Sequence, residues 1–244
     1  SGDGDSASIG IGQLIHAIRR NMDMVYVLEN NGVYGLTKGQ YSATADIGSK
    51  KKKGPINKTQ PIDLCALAIN LGCTFVARSF SGSKKQLNAL LKAAMSHKGF
   101  ALIDVISPCV TFNNNDESMK SYGYVKENEV TLHMTDYIPH FNPIIEVEVP
   151  EGHYRDITLH DGSTIRLETI SDEHDPSNAV AALTALHEAE TEAKHVTGLL
   201  YFDNTKASLI EDLGLVDTPL IDVPDSELRP SEDMLNKINS AFLS

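Results

Sequence analysis

A chain of 244 residues, 41% of them apolar, can bury a core large enough for one α/β domain with an extension. Its formal charge of −12 argues against a nucleic-acid surface, and the lack of a run of about 18 apolar residues or a cleavable leader argues against a membrane span or export. Three scattered cysteines, Cys65, Cys73 and Cys109, are too few for a disulfide framework and suit a reducing cytoplasm.

Gly2-Asp3-Gly4-Asp5 has the composition of a strand-to-helix turn, where glycines admit close backbone approach and helix-start amides favour an anion. The chain opens inside this turn with no strand leading into it, so a missing amino-terminal portion is expected. A helix over 8–20, a strand over 24–28, a helix opened by Pro61 and Asp63 and ending near Gly72, and a strand over 74–78 follow. A helix over 83–97 stopped by Gly99 then leads into a nearly all-apolar strand over 100–106. This alternation predicts an α/β fold with a mainly parallel sheet between helices, whose functional residues lie beyond the carboxyl ends of the strands. Residues 113–142 read as polar and irregular, and 145–149 and 157–170 alternate as strands around an Asp-Gly hairpin turn at 160–163. A long alanine-rich helix over 176–195, a strand over 197–202 and a proline-punctuated tail with a short helix complete the chain. The expected division is 1–145 as a cofactor-binding domain and 146–244 as a hairpin insertion with a carboxyl-terminal extension.

Asp3 offers a hard oxygen of the kind Mg²⁺ shares with phosphate groups. Twenty-five residues separate Gly4 from Asn30-Asn31 at the end of the next strand, and the intervening helix brings the two segments together. From the residues alone, a capped Gly/Asp loop and a turn-forming asparagine remain open, as do a core role for Cys109 and a solvated loop for Lys38. His187 has no ligand partner four residues on, where Thr191 stands, so it belongs to a solvated helix face. The lysines at 50–53 read as a surface loop, with the phosphates of a ligand or an acidic partner as the alternative.

The pairing of GDG with NN in this context, the stretch NNGVYGLTKGQ over Asn30–Gln40 and the stretch SPCVTFN over Ser107–Asn113 resemble the thiamine-diphosphate-binding (β) subunit of 2-oxoacid:ferredoxin oxidoreductases. The resemblance covers 1–112 and, more loosely, 197–244. It implies thiamine diphosphate held by Gly2, Asp3, Gly4, Asp5, Asn31, Val33, Tyr34, Gly35, Leu36 and Thr37. It also implies Mg²⁺ on Asp3, the Asn31 side chain and the Val33 carbonyl, with Leu36 and Lys38 facing the substrate and Lys38 acting catalytically. Cys109 would be one of four ligands of a [4Fe-4S] cluster, the other three lying in an amino-terminal segment. The implied reaction is oxidative decarboxylation of a 2-oxoacid to an acyl-coenzyme A with electrons passed through the cluster to ferredoxin, reversible as reductive carboxylation. An α subunit, in αβ or (αβ)2 form, is the implied partner. The segment 150–175 is most like the longer bacterial β subunits acting on 2-oxoglutarate. Pyruvate as substrate, a non-oxidative decarboxylase or acetolactate-synthase-like enzyme, and a non-catalytic scaffold subunit are the competing readings.

Overall fold

The computed structural model describes residues 1–50, 55–141, 154–169 and 174–242. A π-helical turn at Asp5–Ile9 runs into α1 (Ile11–Arg19), which buries Leu14 and Ile18 at helical spacing. β1 (Met24–Asn30) follows, then a small hairpin of β2 (Val33–Tyr34) and β3 (Gln40–Tyr41). α2 (Leu64–Asn70) is capped by Asp63, whose carboxylate accepts from the Ala66 amide at 2.9 Å. β4 (Phe75–Phe80), α3 (Lys84–Met95) and β5 (Phe100–Ile106) then alternate, and both strands are buried along their whole length. α4 (Tyr122–Asn128), β6 (Glu129–Thr131) and β7 (His133–Ile138) come next, followed by β8 (Tyr154–Thr158), β9 (Thr164–Thr169), α5 (Ala179–Thr191) and β10 (His195–Phe202). The tail carries α6 (Leu209–Asp212), α7 (Asp225–Leu228) and α8 (Glu232–Phe242).

The main sheet has the order β1-β5-β4-β10-β6, parallel at β1-β5, β5-β4 and β10-β6 and antiparallel at β10-β4. Alternation along β4 and β5 divides the core between two faces. Val76 and Leu102 pack with Leu14 and Ile18 of α1, Leu64 and Ala68 of α2 and Leu186 of α5. Phe75, Ala77, Ala101 and Ile103 pack with Leu90, Ala93 and Ala94 of α3, and with Ile165 and Leu167 of β9. The register aligns Asn30 and Phe80 with Ile106, so the carboxyl ends of β1, β5 and β4 form one edge.

The sequence expectations differ from the structure at two places. The stretch 113–142 contains α4, β6 and β7. It reads as polar because the inward positions of β7 are His133 and Thr135, between exposed Met134 and Asp136. The helix expected to reach 195 stops at Thr191, where Ala193 takes a left-handed φ of 54° and no glycine marks the end. The hairpin turn lies where Asp-Gly placed it, with Gly162 at φ 79° between β8 and β9. These two strands and β7 form a three-stranded antiparallel sheet. The strand expected at 145–149, the boundary at 145/146 and Lys51–Lys53 lie outside the described residues. The chain forms two compact units, Ser1–Leu209 and Ile210–Ser244. In the second, α8 exposes Met234, Leu235, Ile238 and Phe242. No helix among the described residues is long and apolar enough to cross a membrane.

His133 is buried beside His174, and its Nε2 accepts the Leu199 amide at 2.9 Å, which requires the neutral ring. Burial, with His174 adding to it, pushes its pKa down to about 3. The unfolded chain therefore binds the proton more readily than the folded one. Stability contributed by the neutral ring is complete above the ordinary histidine value of 6.5 and is lost as pH falls from there towards 3. Thermal denaturation should show Tm falling across this window, with a shallower slope for His133→Gln. An identical slope in that variant would remove His133 from the account.

Candidate cofactor and metal site

The first residues lie beside β1: the Ser1 amine donates to the Val27 carbonyl at 2.9 Å, the Glu29 amide donates to the Ser1 carbonyl at 2.8 Å, and Gly2 bridges to Glu29. The chain then turns into helix at once. The Ser6 amide makes the first turn closure, on Gly2 at 3.0 Å, so the amides of Asp3, Gly4 and Asp5 precede the intrahelical ladder in the manner of an anion-binding helix start. An added Cβ at Gly2 would meet nothing within 4 Å, whereas one at Gly4 would fall 2.4 Å from the Tyr34 ring. The Tyr34 hydroxyl donates to the Gly4 carbonyl at 2.9 Å, which fixes the β2 segment against the turn.

Asp3 and Asn31 meet at the carboxyl end of β1. Asp3 is 1% exposed; its carboxylate accepts the Asn31 amide at 3.3 Å, the Gly32 amide at 3.1 Å and the hydroxyls of Ser42 and Thr44. Asn31 Oδ1 accepts the Val33 amide at 3.0 Å and keeps a second lone pair. Gly32, at φ 74°, lets the chain reverse here. The Asp3 carboxylate and the Asn31 amide oxygen are hard oxygen donors of the kind that fits Mg²⁺. No group of three or more His, Cys, Asp or Glu side chains suited to a metal occurs among the described residues.

Tyr34 and Gln40 pair across the β2–β3 hairpin, and its tip spans Gly35–Gly39. Leu36 at this tip is fully exposed, and Lys38 is exposed with a left-handed φ of 77°. That conformation costs a lysine on the order of 1 kcal/mol.

The segment after β5 docks on the same loops. The Ser107 amide donates to the Asn30 carbonyl at 2.9 Å, Asn113 Nδ2 donates to the Asn31 carbonyl at 2.7 Å, and Phe112 packs 2.9 Å from where a Gly39 Cβ would stand. Cys109 Sγ lies 3.6 Å from a Cβ built on Gly35 and is partly exposed. Cys65 and Cys73 are buried within the core; burial pushes both thiols up, Cys73 to about 12, which leaves them inert. A [4Fe-4S] cluster takes four thiolates, and the described residues supply one at this edge.

Sequence reading missed the groups that hold the motif in place. Thr44 Oγ1 is 3.0 Å from Asn30 Oδ1, Asn30 Nδ2 donates to Asp104 at 3.0 Å, and Arg78 Nε donates to Asp104 at 2.8 Å. Burial opposes the Arg78 charge, but Asp63 and Asp104 outweigh it and hold its pKa well above the ordinary value. A cavity of about 290 Å³ adjoins this network, lined by Thr44, Asp46, Asp63, Arg78, Lys120 and His195. Within it Lys120 pairs with Asp46 at 2.7 Å and Arg78 with Asp63 at 2.8 Å.

Residues 1–105 match the C-terminal TPP-binding domain of thiamine pyrophosphate enzymes. The chain is 45% identical over 146 residues to a 2-oxoacid:ferredoxin oxidoreductase subunit beta from a Sulfolobus species, covering 59% of this chain and 46% of that one. Over this stretch the chain is similar to 2-oxoacid:ferredoxin oxidoreductase β subunits. It is also 42% identical over 115 residues to the 2-oxoglutarate oxidoreductase subunit KorB of Mycobacterium tuberculosis, covering 47% of this chain and 31% of that one. In three dimensions the chain is similar to the 2-oxoglutarate:ferredoxin oxidoreductase of Magnetococcus marinus, solved with 2-oxoglutarate, coenzyme A and succinyl-CoA bound. The TM-score is 0.62 and the identity 28%, over 94% of this chain and 66% of that one. The matching stretches span less than half of these two curated relatives.

Proposed function

We propose that this chain is the thiamine-diphosphate-binding part of a 2-oxoacid:ferredoxin oxidoreductase that acts on 2-oxoglutarate together with a second, α subunit. The observation that carries the reading is the meeting of Asp3 with Asn31 and Gly32 at the carboxyl edge of β1, inside a segment matching a TPP-binding domain. Asp3, the Asn31 side chain and the Val33 carbonyl would hold Mg²⁺. Gly2, Gly4 and Asp5 would line the diphosphate, with Tyr34, Gly35, Leu36 and Thr37 running along the cofactor. When bound, thiamine diphosphate supplies the nucleophilic carbon and the electron sink for decarboxylation.

This chain's residues orient and neutralise. Lys38 lies on an exposed tip and pairs with no carboxylate among the described residues, so its ammonium is available to a substrate carboxylate. Leu36 beside it offers an apolar wall. Cys109, against Gly35 of the same loop, would be one cluster ligand, with the other three thiolates supplied from outside this chain's 244 residues. The net reaction converts a 2-oxoacid anion and coenzyme A to an acyl-coenzyme A and carbon dioxide; two electrons pass to ferredoxin and the thiol proton is released. The names of the relatives, subunit beta and KorB, and the ligands of the Magnetococcus marinus protein support the partner subunit, 2-oxoglutarate and coenzyme A. Cys109 beside the loop favours this reading over a non-oxidative thiamine enzyme, which has no use for a thiolate there.

The test compares kcat/KM for 2-oxoglutarate and pyruvate in the assembled enzyme with coenzyme A and ferredoxin. Wild type should prefer 2-oxoglutarate, and Lys38→Met should lower kcat/KM by at least about tenfold, the worth of one hydrogen bond to a charged group. A preference for pyruvate would overturn the substrate assignment, and an unimpaired Lys38→Met enzyme would remove Lys38 from the site.

A further inference from the structure

The two oxygens of Asp3 have unequal surroundings. Oδ2 meets the Gly32 amide at 3.1 Å, the Thr44 hydroxyl at 2.5 Å and the Ser42 hydroxyl. Among the described residues Oδ1 meets the Asn31 amide alone, at 3.3 Å, which is long for an N–H···O bond. Each carboxylate oxygen has about two lone-pair directions, so the protein saturates Oδ2 and leaves Oδ1 the oxygen with capacity to spare. Ser42 and Thr44 are 7% and 2% exposed, and a buried hydroxyl without a strong partner is costly. A turn closed by the Ala45 amide on the Ser42 carbonyl at 3.2 Å brings the two hydroxyls to one side, 3.1 Å apart. Thr44 Oγ1 also lies 3.0 Å from Asn30 Oδ1, but its single proton serves Asp3, so the turn itself holds the two hydroxyls in place.

We infer that Ser42 and Thr44 are positioning residues: they lock Asp3 by its Oδ2 so that Oδ1 is presented to the cation, a role that rests on the metal function proposed for Asp3. Neither hydroxyl touches the cation itself. Their effect is to spare the loaded site the cost of turning and ordering a carboxylate when the metal arrives. The same two hydroxyls explain why a fully buried carboxylate persists at a loop: its charge is shared among hydrogen bonds from four residues.

The experiment is a calorimetric Mg²⁺ titration of the assembled enzyme at constant thiamine diphosphate, for wild type, Ser42→Ala, Thr44→Val, Thr44→Ser and Asp3→Asn, with Tm measured in the absence of metal. Ser42→Ala and Thr44→Val should each raise the Mg²⁺ Kd by about 10–100-fold, the usual effect of losing an outer partner of a metal ligand. Thr44→Ser, which restores the hydroxyl, should bind Mg²⁺ within about threefold of wild type. Unchanged Mg²⁺ Kd in Ser42→Ala and Thr44→Val, with binding lost in Asp3→Asn, would discard the clamp and leave the metal role of Asp3 standing. Wild-type binding in Asp3→Asn would discard both. If Thr44→Val does not assemble, Ser42→Ala decides by the same criterion. A drop in metal-free Tm without a change in Kd would assign the hydroxyls to stability alone and overturn the inference.

Discussion

Asp3→Ala should abolish Mg²⁺-dependent retention of thiamine diphosphate by the assembled enzyme. The carboxylate is the one anionic group of the proposed metal set, and its neighbours Asn31 and Val33 supply neutral oxygens. Removing the charged partner of a buried ion costs about 3–5 kcal/mol, which corresponds to a loss on the order of 10²–10⁴ in affinity. The truncation also strands the Gly32 amide and the Ser42 and Thr44 hydroxyls, which now donate to Asp3, so some loss of Tm should accompany it. Asp3→Asn keeps the shape and an acceptor oxygen while removing the charge, and it should lose the metal with a smaller loss of Tm. Equilibrium dialysis with and without chelator measures both variants. Cofactor and Mg²⁺ retention equal to wild type in each would show that the motif has been misread.

Cys109→Ser should lower iron and acid-labile sulfide and slow electron delivery to ferredoxin, while thiamine diphosphate stays bound. The thiol is partly exposed and lies against Gly35, in contrast to the fully buried Cys65 and Cys73, so its removal costs the core little. A hydroxyl is a poor substitute for a thiolate at a cluster iron, which makes a large fall in cluster occupancy the expected result. The segment's grip on the Asn30–Asn31 loop runs through Ser107 and Asn113, which the substitution leaves in place, and this is why cofactor binding should survive. Undiminished iron and visible absorbance would return Cys109 to the packing class.

The legible parts of the fold were those where burial and periodicity agree. β5 is apolar nearly throughout because both of its faces are covered, and Gly99, at φ 111°, marks the turn before it. β7 was not legible, since its inward side chains are a histidine and a threonine, and the histidine finds its partner only through a tertiary contact, the bond from the Leu199 amide. The reversed direction of β10 leaves no local trace, because an apolar strand reads the same either way along the chain. In the candidate site, the spacing of Gly4 and Asn30 across one helix was enough to foresee that the two motifs meet. The clamp by Ser42 and Thr44 was not foreseen. Two hydroxyls two residues apart look like any polar loop until the turn brings them onto one carboxylate oxygen. Asn113 was visible only as the end of a matching stretch, and its bond to the Asn31 carbonyl gives that stretch a physical role.

The central claim, that this chain carries a thiamine diphosphate and Mg²⁺ site built from Asp3 and Asn31, is tested most directly by titrating the purified, cofactor-stripped assembled enzyme with thiamine diphosphate in the presence of Mg²⁺ and again with excess chelator. The account predicts saturable binding of one thiamine diphosphate per chain that disappears when the metal is removed. Absence of saturable binding with Mg²⁺ present, in a complex that is folded and assembled, would contradict it.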